Sequence, residues 1–421
     1  MQSIANHTVK QNIPLAPLTT LKIGGSARFF VRAESEEQVV RAFEFARENS
    51  LDVFVLGGGS NVLISDNGFD GLVLQIALKG ISQENADNSV FVTAQAGEDW
   101  DVFVAKCVGE NLAGVECLSG IPGFVGGTPV QNVGAYGQEV SETIVSVKCY
   151  DRNSGEIVDL TNAECGFEYR KSIFNSTERE RYVVLAVTYK LDPSGEPKIV
   201  YRDLREYFGM RGHSDAERGE SEKARKRESE SEPPASAGGF LNETGTTKQL
   251  EITRNIQPTN PRSAICDPQS KNPPANAGGS AFGATLQGTR NAVLAIRRAK
   301  SMVIDEGDPN SCSAGSFFKN PIVPLTKYSE IVATAEREVP KFAVNASHVK
   351  IPAAWLIENA GFHKGFALGN AGISSKHTLA LINRGGAAAA EIVALKNLIQ
   401  QKVAAKFGIE LKPEPVFVGF S

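Results

Sequence analysis

The chain has 421 residues, a formal net charge of −4 and 41% hydrophobic residues. That length predicts two or three domains with sizeable cores, and the slightly acidic balance argues against nucleic acid as a main partner. The polar N-terminus has no apolar signal core and no apolar run reaches membrane-spanning length, so a soluble cytoplasmic protein that acts as a monomer, with no membrane partner, is expected.

In chain order, Pro17 to Phe30 (PLTTLKIGGSARFF) places a Gly24–Gly25 turn between two strand-like pieces. Ser35 opens a helix with Gln38 as its capping-box partner, and Val39, Val40, Phe43 and Ala46 recur at helical spacing. Val53 to Leu56 is a short apolar strand running into Gly57-Gly58-Gly59-Ser60-Asn61, after which Val62 to Ile64 resumes strand character. Unblocked backbone donors beside a hydroxyl and an amide suit a phosphate. The run is not the GxGxxG fingerprint, no helix follows it, and a hairpin turn explains it about as well. Residues 88 to 110 predict a strand and then a helix from Trp100 to about Val108.

Gly120 to Glu139, GIPGFVGGTPVQNVGAYGQE, holds six glycines and two prolines, a density neither a helix nor a central strand tolerates. Such glycine allows close approach of backbone to a ligand, and a tight surface loop is the alternative. The apolar Ile121, Phe124, Val125, Val130 and Val133 favour burial against something flat and large.

Three strands are predicted next, TIVSVKCYD, GEIVDL and RYVVLAVTYKL. Between the last two, Arg170 stands among Phe167, Tyr169, Ile173 and Phe174. It either snorkels outward, the reading favoured by these residues alone, or meets a buried anion. From Gly209 to about Gly288 the sequence turns charged and repetitive, then rich in Pro, Gly, Ala and Ser, which predicts a disordered insertion. Beyond it, Arg297, Arg298 and Lys300 end an amphipathic helix and are expected to form a positive patch.

Ser316, between Gly315 and two phenylalanines, is either a hydrogen-bonding core residue or a positioned proton donor. A helix lies between Pro352 and Gly361, a strand over Thr378 to Ile382, and a longer helix is striped by Ile392, Leu395, Ile399 and Val403 and ended by Gly408. Glu414, between Pro413 and Pro415, is either a solvated edge acid or a carboxylate held in a site. The six cysteines (Cys107, Cys117, Cys149, Cys165, Cys266, Cys312) show no CxxC spacing, which predicts reduced thiols, with Cys266 incidental, and no metal site.

TTLKIGGSA, GGGSNVLISD, SGIPGFVGGTPVQNVGAYGQE, FEYRKSIF, AGSFFKNP, AAWLIENAG and PEPVFVG occur in one order along the chain. In that order they resemble the UDP-N-acetylenolpyruvoylglucosamine reductase family, in the subtype with a tyrosine-bearing loop. The resemblance covers nearly all of the chain outside the insertion. It implies an α+β fold: a two-part FAD-binding domain of the vanillyl-alcohol-oxidase (PCMH) type, residues 1–86 and 87–208, and a C-terminal α/β substrate-binding domain, residues 289–421, with the insertion at 209–288. It implies FAD as cofactor, NADPH as co-substrate and a nucleotide sugar as substrate, with hydride passing from the flavin N5 and a proton from Ser316.

Carried over by motif, the resemblance makes Ser316, Arg170 and Glu414 catalytic. It assigns Gly57, Gly58, Gly59, Ser60 and Asn61, with Gly120, Ile121, Pro122, Gly123, Gly126, Gly127, Gln131 and Asn132, to the flavin nucleotide. It assigns Tyr136, Tyr201, Lys300, Asn320 and His377 to the substrate, His377 standing where some members carry glutamine. The rivals are an oxidase of the same fold superfamily, weakened by the lack of a histidine placed to anchor flavin near the glycine loops, and a non-catalytic flavin-binding scaffold.

Overall fold

Strands covered on both faces build the centre of the first sheet. Strand β1 (Lys10–Pro14), β2 (Ser26–Ala33), β3 (Val53–Leu56) and, beyond the short β4 (Val62–Ile64), β5 (Phe69–Ile76) assemble in the order β1-β2-β5-β3. In β2, Ala27 and Phe30 pack into one buried cluster and Val31 and Ala33 into another, so both faces of the strand are covered. The computed structural model describes residues 3–4, 7–86, 88–210 and 284–420; Cys266 and the insertion, apart from its two ends, lie outside the described residues.

Helix α1 (Glu36–Glu48) starts as its sequence predicts: Ser35 Oγ accepts from the Gln38 N–H at 3.3 Å. The Gln38 side chain reaches back one residue further than a standard capping box, accepting from the Glu34 N–H at 2.6 Å. Its buried stripe is Val39, Ala42, Phe45 and Ala46, with Val40 and Phe43 half-buried at its border.

The second sheet is antiparallel throughout: β6 (Ile81–Ala86), β7 (Ser89–Gln95), β8 (Ile144–Asp151), β9 (Glu156–Thr161) and β10 (Tyr182–Leu191), in the order β9-β8-β10-β7-β6. Helix α2 (Trp100–Gly109) is capped by Asp99 and packs Trp100 and Phe103 on Tyr189, with ring centroids 5.9 and 4.9 Å apart. Burying each of these aromatic side chains contributes roughly 1.5–3 kcal/mol. The Tyr189 and Thr128 hydroxyls are 2.8 Å apart, which pins the glycine-rich 120–139 segment to this core.

The remaining chain contributes α3 (Arg202–Tyr207), α4 (Leu286–Ala299), β11 (Ser313–Ser316), β12 (Ile322–Pro324), α5 (Leu325–Thr334), β13 (Phe342–Ala343), β14 (His348–Lys350), α6 (Ala353–Asn359), β15 (Ala367–Leu368), β16 (Ala371–Ile373), β17 (Ala380–Asn383) and α7 (Ala389–Phe407). Its strands form two antiparallel sheets, β11-β17-β16-β15 and β12-β14-β13. The α7 stripe of Ile392, Leu395, Ile399 and Val403 is fully buried, and Gly408 ends the helix at φ 62°. Helix α4 begins at Leu286, three residues before order is predicted to return, because Thr285 caps it by accepting from the Gly288 N–H at 3.0 Å. Strand β17 starts two residues later than predicted.

Long-range contacts tie this part to β4 and to the loops that flank the first sheet. The final strand β18 (Val416–Val418) pairs in parallel with β4. The Asp66 carboxylate caps α7, accepting from the Ala389 and Ala390 N–H groups at 2.7 and 3.0 Å. The Thr20 hydroxyl donates to the Ser313 carbonyl at 2.6 Å, and the Asn383 amide donates to the Leu21 carbonyl at 3.1 Å. Cys107, Cys117, Cys149 and Cys165 are buried free thiols, and burial pushes Cys107 and Cys165 up to about 12. No helix among the described residues is long and apolar enough to cross a membrane.

Candidate functional site

The glycine run between β3 and β4 is not a hairpin turn: β3 pairs with β5 and β4 with β18, so the run joins two separate sheets. The N–H groups of Gly57 through Asn61 donate no backbone hydrogen bond among the described residues, although the Gly59 and Asn61 carbonyls accept from the Thr20 and Val416 N–H groups. Those donors are therefore open to a ligand. The second glycine segment closes on it. A Cβ at Gly58 would stand 2.7 Å from Gly123 Cα, and one at Gly123 would stand 2.6 Å from Ser60 Oγ, so the two loops touch only because neither carries a side chain. A Cβ at Gly57 or at Gly127 would meet no atom within 4 Å, so both positions face open space.

Other glycines of the segment serve the scaffold. Gly126 donates its N–H to the Ala96 carbonyl at 2.9 Å. Gly120 is gripped from two helices: its N–H donates to Asp101 Oδ1 at 2.6 Å, and its carbonyl accepts from Arg297 Nε at 3.2 Å. Arg290 forks onto Asp101 at 2.6 and 2.8 Å. Asn132 is 1% exposed and spends its side chain on the Glu139 carboxylate, the Glu168 carbonyl and the Ser141 N–H, at 2.8, 3.1 and 3.2 Å. Asn61 instead faces the loops' junction, donating to Gln131 Oε1 at 3.1 Å and to the Glu414 carbonyl at 3.3 Å.

Arg170 does not snorkel. Its guanidinium donates to the Gly134 carbonyl at 2.7 Å and the Asn132 carbonyl at 3.4 Å, and its Nε lies 3.6 Å from Glu414 Oε1. That Nε is buried without a hydrogen-bond partner among the described residues, an orphan donor beside a carboxylate. The Arg170 backbone is itself left-handed at φ 54°, as are Asn132 at 44° and Tyr136 at 51°. Such non-glycine residues cost roughly 1–3 kcal/mol each and persist where surrounding structure imposes them.

Glu414 is not a solvated edge acid: its side chain is 10% exposed. Burial holds its carboxyl above the usual carboxylate range, with Arg170 and Lys319 opposing. Strand β11 joins the pair, because the Glu414 N–H donates to the Phe317 carbonyl at 2.9 Å and Lys319 Nζ donates to the Arg170 carbonyl at 3.2 Å. Ser316, half-buried at the end of β11, immediately precedes Phe317 in the chain.

The sign of the Glu414 shift gives a prediction. An acid whose folded pKa is raised takes up its proton more readily when folded, so ionising it subtracts stability as pH climbs from the unfolded to the folded value. Glu414→Gln should therefore unfold at the same or a higher temperature than the parent near neutral pH, because Arg170 keeps its two carbonyl partners, while turnover falls by about 10²-fold or more. Thermal unfolding and turnover of the variant check this together.

Of the remaining candidates, Tyr136, Lys300 and His377 neighbour Arg297, whose Nε holds the Gly120 carbonyl, whereas Asn320 stays beside Tyr169. The Tyr136 and Tyr201 rings meet edge to face at 5.5 Å and 86°. Burial raises the Tyr136 phenol to about 12, with the Arg297 guanidinium opposing. Lys300 Nζ reaches Asp203 Oδ2 at 2.6 Å, tying the end of α4 to α3. His377 is pushed down to about 4, first by burial and then by Lys300, Lys364 and Arg297, so it is neutral at physiological pH. Asn320 caps α6, accepting from the Ala353 N–H at 2.8 Å.

The expected patch of Arg297, Arg298 and Lys300 does not exist as such. Arg297 points inward, 8% exposed, to the Gly120 and Met302 carbonyls, Arg298 is exposed, and Lys300 is paired with Asp203. Arg297 and Gly315 line one small cavity together with Pro122, so the two groups of residues adjoin. Sequence reasoning missed Asp101, Arg290 and Lys319. The spacing of Arg290, Val293 and Arg297 along one face of α4 was the available signal for an inward basic stripe.

A cationic group beside a raised carboxyl, a half-buried hydroxyl and a cradle of open amides can bind an anionic substrate next to a phosphate-bearing cofactor and deliver a proton. Residues 27–161 match the family model described as FAD binding domain, and residues 308–418 match that of the UDP-N-acetylenolpyruvoylglucosamine reductase C-terminal domain. A crystal structure of UDP-N-acetylenolpyruvylglucosamine reductase from Thermus caldophilus superposes with a TM-score of 0.55 over 98% of this chain and 99% of that one, at 20% identity, and so shares the fold. UDP-N-acetylenolpyruvoylglucosamine reductase of Nocardia farcinica is 39% identical over 98% of this chain and 90% of its own length. That of Thermobifida fusca is 38% identical over 97% of this chain and 98% of its own length. The chain therefore belongs to the UDP-N-acetylenolpyruvoylglucosamine reductase family.

Proposed function

We propose that the chain reduces UDP-N-acetylenolpyruvoylglucosamine to UDP-N-acetylmuramate, a step of peptidoglycan synthesis, with FAD as cofactor and NADPH as reductant. The observation that supports this most is the convergence of Arg170, Glu414 and the Ser316 strand beside two opposed glycine loops. The residues fit a flavin dinucleotide: Gly57 to Asn61 offer unused N–H donors for its pyrophosphate, and the Gly120 to Gly127 segment, with Gln131 behind it, offers a wall for its ring that is free of side chains at Gly127. The flavin, when bound, supplies the β-carbon of the enolpyruvyl ether with a hydride equivalent drawn from NADPH.

Arg170 meets the negative charge that grows on the α-carbon and its carboxylate, and the buried Glu414 keeps the guanidinium aimed there. Ser316 gives its hydroxyl proton to the α-carbon. A serine is a weak acid in water, but here the acceptor is enolate-like and the flanking Phe317 and Phe318, 0% and 1% exposed, keep the site dry. Tyr136 and Tyr201 flank the nucleotide, and Lys300, released from Asp203, meets its diphosphate with Asn320. Neutral His377 contributes a hydrogen bond and no charge. The enzyme acts in the cytoplasm as a monomer.

The purified protein should be yellow, bleach with NADPH in the absence of air, and regain its colour on addition of the enolpyruvyl nucleotide. A colourless protein, or one recoloured by air as fast as by the nucleotide, would overturn the reading.

A further inference from the structure

Glu116 is 1% exposed and takes no part in the chemistry above. It lies in the 3₁₀ turn Glu116–Leu118, between α2 and Gly120. A buried carboxylate is costly unless donors meet its oxygens. Three do: the Gly114 N–H at 2.8 Å on Oε2, and the Lys198 N–H at 3.0 Å and the Gln138 side-chain amide at 3.2 Å on Oε1. Gln138 is fixed in turn, its side-chain oxygen accepting from the Cys117 N–H at 2.9 Å.

Two of these partners bracket the tyrosine pair, since Gln138 closely follows Tyr136 and Lys198 closely precedes Tyr201. Lys198 is held at two further points. Its carbonyl accepts from the Cys117 thiol at 3.2 Å, and its ammonium donates to the Glu142 carboxylate at 2.8 and 2.7 Å. Alongside, a Cβ at Gly137 would stand 2.6 Å from Val200 Cγ2, so the 198–201 segment runs in contact with 136–138. Tyr136 and Ile199 pack on the same buried cluster of Cys117 and Leu204.

We infer that Glu116 is a positioning residue for the nucleotide substrate: by clasping Lys198 to Gln138 it fixes the start of the Tyr201 segment against Tyr136 and so sets the surface the two rings present. This rests on the role proposed for the two tyrosines. The Glu116 side chain bonds to none of the residues proposed to hold the flavin, Gly57–Asn61 and Gly120–Asn132, so the effect of losing it should fall on one half-reaction only.

The experiment follows both half-reactions of the flavin-loaded full chain by rapid mixing. Glu116→Gln should leave flavin reduction by NADPH unchanged and raise KM for the enolpyruvyl nucleotide about tenfold, with kcat changing far less. Added to Tyr201→Ala, it should cause little further loss, because the clasp acts through that ring. If Glu116→Gln does not fold, Gln138→Met removes one donor while leaving the Lys198 bond, and the same KM-against-kcat split is expected. An unchanged KM, equal slowing of both half-reactions, or full additivity with Tyr201→Ala would overturn the inference. A parent enzyme that the nucleotide fails to reoxidise is a separate result, read before any variant is made, and would remove the functional reading and this inference with it.

Discussion

Ser316→Ala should keep NADPH-driven flavin bleaching and slow reoxidation by the enolpyruvyl nucleotide by about 10²–10⁴-fold, the range that a positioned general acid supplies. The side chain sits at the end of β11, where pairing of Ser316 with Ala380 and the left-handed Gly315, at φ 75°, set its direction. The two residues that follow it, Phe317 and Phe318, are fully buried and anchor the end of the strand. Removing one half-buried hydroxyl opens no large cavity, so thermal stability should stay within about 0.5 kcal/mol of the parent. Rapid mixing separates the two half-reactions, and reoxidation at the parent rate would take Ser316 out of the mechanism.

Gly58→Ala should yield protein that purifies without flavin. The added Cβ would lie 2.7 Å from Gly123 Cα, 3.0 Å from Gly123 C and 3.1 Å from Phe124 N, all backbone, so no rotamer change relieves it and the two loops must part. Overpacking of this kind costs about 1–3 kcal/mol, and the loops that part are those proposed to grip the dinucleotide. Gly57→Ala is the informative companion. Its Cβ meets no protein atom within 4 Å, so the apoprotein should unfold at the parent temperature, yet flavin affinity should drop because that space is the proposed wall of the cofactor site. Flavin titration beside thermal unfolding of the apoprotein reads both. Retention of flavin by Gly58→Ala at parent affinity would mean that the ligand lies elsewhere.

Much of the architecture was legible before any coordinate. The α7 stripe, the Gly408 stop, the Ser35 cap and the strand runs follow from local periodicity and capping chemistry, which need only neighbouring residues. The glycine segments announced close backbone approach, because little else explains such density. Local pattern failed where the answer lay with distant chain. Arg170 reads as a snorkelling arginine among its own neighbours, and Glu414, which turns it inward, arrives only with the last turn of the chain. Arg297 reads as one member of a charged triplet, and only the Gly120 and Met302 carbonyls give it an inward destination.

By itself, then, the sequence determined the α+β element pattern, the two backbone-bare loops and, through the order of its motifs, the resemblance to a reductase family. Tertiary structure alone decided that β3 and β4 part to different sheets, that β18 returns to pair with β4, and that Arg170 meets Glu414 beside the chain that follows Ser316. The physical reason is one of range. Helix caps and hydrophobic stripes are fixed by residues a turn apart, whereas the burial and partner of a charged side chain depend on which remote backbone folds over it, and no local period records that.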